Sequence, residues 1–171
     1  MRLVPLPGVF QPPSDAWMLA GYLEHERPGP RTRVLDLCTG SGMLAIAAAL
    51  AGASEVTAVD ISRRAVAAVR LNALVNGVRV EAIRGDLFAA VAGRCFDLIL
   101  SNPPYLPGDT DSLPERGLAR AWEGGRSGRA FIDRIAVGAT DHLAEDGTLL
   151  LVCSTEMSAS SSSCPRRRSR S

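Results

Sequence analysis

Short apolar runs alternate along this chain with stretches whose apolar residues recur at helical spacing, and each run stops at a polar or glycine cluster. Arg33 to Cys38, Glu55 to Asp60, Val78 to Ile83, Phe96 to Leu100 and Gly147 to Ser154 read as strands, brief and apolar enough to be buried on both faces. Met43 to Leu50, Arg63 to Asn76 and Ala130 to Leu143 read as helices between them. The middle one begins near Ser62, carries Ala65, Val66, Val69, Ala73 and Leu74 on one stripe, and stops at Gly77. Nearer the start, Ser14 or Asp15 can cap a helix with the apolar positions Trp17, Met18, Leu19, Tyr22 and Leu23, ending before Pro28-Gly29-Pro30. Strands alternating with helices predict an α/β fold with a parallel sheet, in which ligands sit beyond the carboxyl ends of the strands.

The remaining segments differ in character. Residues 1–13 are broken by prolines and a glycine and read as an irregular arm that lies on something. Val9, Phe10 and Trp17 read first as cover for the core, with a flap over a ligand cleft as the alternative. Leu106 to Gly128 is a long loop rich in Pro, Gly and charge, expected to be functional, with Trp122 as an anchor. Ser158 to Ser163 and Arg166 to Ser171 form a serine and arginine tail that cannot bury a core; it reads as disordered or as a truncated or frame-shifted ending.

Composition narrows the field. The 171 residues, 46% of them hydrophobic, suffice for one globular domain, and neither a membrane-spanning run nor an export leader is seen. Cys38, Cys95, Cys153 and Cys164 lack metal-ligand spacing, so no metal site is expected and a reducing cytoplasm fits. The net charge of +1 is more than accounted for by Arg166, Arg167, Arg168 and Arg170, which leaves a mildly acidic body. That argues against a broad phosphate-binding surface, and hence against nucleic acid as the main partner.

Candidate chemistry sits at the strand tips. Thr39, Gly40, Ser41 and Gly42 follow the first strand and lead directly into a helix, so a ligand can approach the backbone where N–H groups are unpaired. A three-glycine dinucleotide fingerprint is missing, and Asp36 suits an ammonium or a backbone amide better than a pyrophosphate. Asp60 ends the second strand, placed to accept both ribose hydroxyls or to cap the next helix. Asp86 and Leu87 could meet an adenine amine and ring, or form a simple turn. The fourth strand ends in Ser101, Asn102, Pro103, Pro104 and Tyr105. Prolines do not continue a ladder, so the carbonyls of Asn102 and Pro103 are left as acceptors beside an aromatic face. A planar group bearing an NH2 would suit them; a plain strand stop is the alternative.

These residues resemble a known family. DLCTGSG, the acid of AVDIS, the GDL triplet and NPPY look like class I S-adenosylmethionine-dependent methyltransferases acting on planar amino groups. With GVFQPPSDAWMLAGYLE and AWEGGRSGRAFIDRI added, the chain is similar, over roughly residues 5–154, to the HemK/PrmC-type glutamine-N5 methyltransferases, in the short branch without a helical N-terminal domain. The resemblance implies a Rossmann-like parallel sheet with helices on both faces, here lacking the last two strands. It implies an arm and helix over 1–30 packed on the cofactor cleft, a methyltransferase domain over 31–154 and a tail over 155–171.

S-adenosyl-L-methionine is the implied cofactor. Asp36, Cys38, Thr39, Gly40 and Gly42 would hold its methionine end, Asp60 and Ile61 its ribose, and Asp86 and Leu87 its adenine. Asn102 would hold the substrate amide beside the methyl group, with Pro103, Pro104 and Tyr105 shaping the slot. The amide nitrogen would displace a neutral thioether from the methyl group in line, without an obligatory general base. The expected substrate is the glutamine of a translation release factor, and a small zinc-binding activator protein is an implied partner. Adenine-N6 or guanine-N2 methylation of nucleic acid is the first alternative, and a cofactor-binding module without turnover is the second. Two departures stand out: the family usually has Gly where this chain has Cys38, and often Ser or Thr where it has Ala16.

Overall fold

The computed structural model describes residues 1–12, 14–110 and 121–153. Five strands form one sheet: β1 Arg33–Leu37, β2 Glu55–Asp60, β3 Glu81–Arg84, β4 Phe96–Ser101 and β5 Leu143–Leu151. Their order is β3-β2-β1-β4-β5 and every pairing is parallel. The helices are α1 Ser14–Glu26, α2 Met43–Leu50, α3 Arg63–Val75 and α4 Ala130–His142, with a short 3-10 turn at Leu87–Val91. Successive strands move outward on one side of β1 and then, from β4, on the other. The chain reversal therefore lies between β1 and β4, where parallel sheets open a crevice at their carboxyl ends.

Alternation along β1 builds two cores. Val34 joins Leu98 and Leu100 of β4, Ala16, Leu19 and Leu23 of α1, Leu44 and Ala48 of α2 and Val69 of α3 on one face. Leu35 and Leu37 join Phe88, Phe96, Ile99 and Ile135 on the other. The helices thus cover both faces, as expected for near-continuous apolar strands. Asp36 falls on the α2 side, fully buried under the turn that follows its own strand.

Several boundaries and faces differ from the sequence reading. β3 begins at Glu81 rather than Val78, because Val78 N–H is taken by the Ala73 carbonyl in the α3 exit turn. β5 begins at Leu143, which pairs with Phe96 across a register irregularity, and ends at Leu151; Ser154 lies outside the described residues. The stripe of α1 is Ala16, Leu19 and Leu23, whereas Trp17, Met18 and Tyr22 are exposed. Asp97, inside the β4 run, is only partly buried and pairs with Arg33 at 2.9 Å. The serine and arginine tail and residues 111–120 of the long loop also lie outside the described residues.

Candidate active site

β1 leaves the sheet at Cys38, whose φ of 56° lies in the left-handed region, and Gly40 and Gly42 follow with φ of 55° and 83°. The two glycines face different ways. A Cβ on Gly40 would meet only the Phe10 carbonyl, 3.8 Å away, so this glycine opens to the cleft. A Cβ on Gly42 would lie 3.2 Å from the Val69 Cα, so Gly42 lets α2 start against α3 and does not line the cleft. At Cys38 the left-handed φ is one that glycine adopts without the crowding a Cβ brings.

Two acids brace the turn. Asp36 Oδ2 accepts from the Thr39 hydroxyl at 2.5 Å and from the Ala45 N–H at 3.1 Å, while Oδ1 is buried and without a partner. Burial pushes the Asp36 carboxyl up to about 7, opposed by those two donors and reinforced by the charge of Asp60. Asp60 accepts from the Gly40 N–H at 3.0 Å with Oδ2 and from the Ser62 N–H at 2.9 Å with Oδ1. The cap of α3 is Ser62, whose hydroxyl accepts from the Ala65 N–H; Asp60 steadies the residue before it.

A cleft of about 170 Å³ opens between these tips. Cys38, Gly40, Asp60, Ile61, Asp86, Leu87, Asn102 and Pro104 all face it, and Asp36 and Thr39 line an adjoining recess. Burial, with Asp60 and then Asp36 nearby, keeps the Cys38 thiol protonated. Asp86 differs from expectation in one respect: its Oδ2 already receives Arg134 of α4 at 2.7 Å. Leu87 adopts a left-handed φ of 47° as the chain turns into the 3-10 segment.

The fourth strand tip is pinned to the first. Ser101 Oγ donates to the Leu37 carbonyl at 2.9 Å, which fixes Asn102 opposite the glycine turn. Asn102 Oδ1 is buried with no partner, and no donor among the described residues meets the Asn102 or Pro103 carbonyl. On the far side of Asn102 a second cavity, about 250 Å³, is lined by Phe10, Pro103, Tyr105, Leu106 and Trp122. Tyr105 is held by its hydroxyl, which donates to Asp15 Oδ2 at 2.5 Å. Burial, then that carboxylate, pushes the phenol up to about 12. Asp15, read as a possible helix cap, is instead turned toward the slot.

The loop after Tyr105 is clasped by backbone bonds. Leu106 N–H donates to the Trp122 carbonyl at 2.7 Å, Gly124 N–H to the Leu106 carbonyl at 2.8 Å and Gly108 N–H to the Gly125 carbonyl at 3.0 Å. Gly124 has no room for a side chain: a Cβ would lie 2.8 Å from the Pro104 carbonyl oxygen and 2.5 Å from that of Gly128. Trp122 rests against Phe10, with ring centroids 6.2 Å apart. Of the suspected flap, Phe10 therefore faces both cavities, Val9 is buried and Trp17 points to solvent. Sequence reading missed Phe131 and Arg134, which reach the cleft from one face of α4.

A model of the methyltransferase small domain matches residues 2–121, the stretch that builds β1 to β4 and most of the lining of both cavities. The chain belongs to the methyltransferase small domain family. A Methanocaldococcus jannaschii protein whose name assigns it, provisionally, to protein N5-glutamine methylation is 34% identical over 87% of this chain and 74% of its own. A ribosomal protein uL3 glutamine methyltransferase of Xanthomonas campestris is 43% identical over 71% of this chain, and a release factor glutamine methyltransferase of Deinococcus radiodurans is 44% identical over 56%. This small-domain chain spans only 41% and 34% of those two relatives. Among solved structures, a T. thermophilus 16S rRNA N2 methyltransferase bound to AdoMet and guanosine superposes with a TM-score of 0.65 at 26% identity, covering 85% of this chain and 37% of that one.

The fold is the class I methyltransferase fold, and S-adenosylmethionine is the family's cofactor. The residues present fit that group. An unpaired buried carboxylate oxygen on Asp36 suits a cationic amine, an acid at the β2 tip suits vicinal hydroxyls, and Gly40 leaves the cleft wall open. No helix among the described residues is long and apolar enough to cross a membrane, and among them no cluster of potential metal ligands occurs.

Proposed function

We propose that this protein transfers the methyl group of S-adenosylmethionine to the side-chain amide nitrogen, N5, of a glutamine in a protein. The observation that supports this most directly is the buried, unpaired Asn102 Oδ1 where the cofactor cleft and the apolar slot meet. A buried acceptor without a donor is costly, and a substrate N–H supplies the donor. Among the described residues, no charged side chain lines the slot. A neutral amide can be desolvated there at far less cost than an ammonium.

In this reading Asn102 Oδ1 and the Pro103 carbonyl each accept one amide N–H. That orients the nitrogen and favours the positive charge that develops on it, a contribution of position and electrostatics. The bound cofactor supplies an electron-poor methyl group on a sulfonium. Asp36 holds the cofactor's ammonium, Asp60 and Ile61 its ribose, and Leu87 flanks the adenine with the Asp86–Arg134 pair at the rim. Phe10 and Trp122 exclude water, and Tyr105, fixed by Asp15, walls the slot. Asp15 is engaged by the phenol and is assigned no role as general base; the surplus proton on the methylated nitrogen passes to water as the product leaves. The catalytic unit is residues 31–154, with residues 1–30 packed over its cleft.

The named relatives offer two glutamine-bearing proteins, ribosomal protein uL3 and a release factor. The likeness to the 16S rRNA enzyme supports a second reading, in which a base amine takes the place of the amide. One experiment separates them: labelled cofactor is offered to uL3, a release factor, ribosomal RNA and DNA in parallel, with Asn102→Ala as control. Label on a protein glutamine, lost in the variant, is the expected result. Label on RNA or DNA overturns the acceptor assignment, and cofactor binding without label on any acceptor marks a binding module.

A further inference from the structure

Asn72 stands at the start of the last turn of α3, is fully buried, and is surrounded along its helix by Ala68, Val69 and Ala73. Asparagine is a poor residue for a helix interior, and its amide is expensive to bury. An apolar side chain would fill that place at lower cost, so the amide must be held for its bonds. It makes two, in opposite directions. Nδ2 donates to the Ser41 carbonyl at 2.9 Å, inside the glycine turn, and Oδ1 accepts the Val4 N–H at 2.7 Å, at the root of the N-terminal arm.

Asn76, one helical turn further on, extends the same grip. Its Oδ1 accepts the Arg2 N–H at 2.7 Å and its Nδ2 donates to the Arg2 carbonyl at 2.6 Å, a strand-like exchange with the arm. From this root the arm passes Gly8, where a Cβ would press on the Arg64 guanidinium of α3, and arrives at Phe10 over both cavities. Ser41 lies between Gly40, which opens to the cleft, and Gly42, which packs on Val69. A single buried side chain therefore bonds the wall of the cofactor cleft and the root of its cover.

We infer that Asn72 is a positioning residue for cofactor binding, coupling the arm to the glycine turn. With both bonds made, the turn is held in its left-handed course and Phe10 is held over the cleft. Seating the cover and binding the cofactor then favour each other. The inference rests on the cofactor placement proposed above and is independent of which nitrogen receives the methyl group.

A double-mutant cycle in the full chain tests it, read by calorimetric titration with S-adenosylhomocysteine and no acceptor. Asn72→Ala removes both bonds; Val4→Pro removes only the N–H that Oδ1 receives. Expected are a loss of cofactor affinity of about 10–100-fold for the first and about 3–10-fold for the second, with no added loss when Val4→Pro is placed on Asn72→Ala. A Trp17→Phe background leaves Trp122 as the sole tryptophan, and its emission should shift to the red in both variants as Phe10 lifts away. Full additivity of the two losses overturns the coupling. So does unchanged affinity in Val4→Pro, a variant that keeps α3 and the glycine turn intact should Asn72→Ala fail to fold. Because no acceptor is present, failure here leaves the methyl-transfer assay to judge the proposed function on its own.

Discussion

The two strand tips flanking the sheet reversal handle hydrogen bonding in opposite ways. Around the β1 and β2 tips most acceptors are bonded to the protein, Asp36 Oδ2 to Thr39 and Ala45 and Asp60 to Gly40 and Ser62, and there, among the described residues, Asp36 Oδ1 alone is buried without a partner. After β4, the Asn102 side-chain oxygen and two carbonyls meet no donor among the described residues, and the two prolines bring no N–H of their own. The first tip is a braced backbone that offers a ligand one open carboxylate oxygen, Asp36 Oδ1. The second is a set of open acceptors completed by the ligand, so damage to the first should show in cofactor binding and stability, and damage to the second in transfer.

The sharpest break is Asn102→Ala. Transfer should fall by about 10²–10³-fold, the scale of losing one well-placed polar group from a transition state, while cofactor affinity stays within about threefold. Single-turnover transfer and equilibrium titration check the split, and equal losses in both would merge the two regions. Gly124→Ala comes next, because its Cβ would strike the Pro104 and Gly128 carbonyl oxygens and displace the acceptor tip. A drop in transfer of about 10–100-fold is expected with cofactor binding nearly unchanged, as for a misplaced reactive group.

The braced tip should answer to pH. The unfolded chain releases the Asp36 proton near pH 4, whereas the native carboxyl keeps it until about 7. The stabilisation is complete below the first value and is lost as pH climbs through the second. The melting temperature without cofactor should therefore decline between pH 5 and 8. Cofactor affinity should rise by about 10–100-fold over the same interval, because an ammonium selects the ionised form. Asn at position 36 should flatten both curves, as thermal melts and titrations across that range would reveal. The smallest effect is Cys38→Gly. Relief of a left-handed cysteine, less the extra freedom glycine has when unfolded, should stabilise the chain by about 0.5–1 kcal/mol, or about 1–4 °C in melting temperature.

Much of this was legible because strands buried on both faces must be nearly all apolar, and their polar ends stand out against that background. Asp60, Asp86 and Asn102, which all line the cleft, stand out that way, and Asp36 stands out as an acid inside the first buried strand. What escaped depended on three-dimensional packing. Trp17, Met18 and Tyr22 look like a core stripe, yet Ala16, Leu19 and Leu23 fill the place against α2. Phe131 and Arg134 belong to a helix far along the chain whose spacing gives no hint that it faces the β3 tip. Gly42 was recognised for ligand approach, but its need comes from the helix behind it. Trp122 was singled out as an anchor, though its partner Phe10 could be known only once the arm had been traced.

The tie from Ser101 to the Leu37 carbonyl has a consequence for how such a chain can change. It sets the offset between donor and acceptor halves from within the sheet, upstream of every residue that lines the acceptor slot except Phe10. The segment following β4 can then be rewritten for a different amide or amine while the methyl donor keeps its distance from the point of attack. Acceptor preference becomes a property of one exchangeable loop, set on a gauge that the loop itself does not adjust.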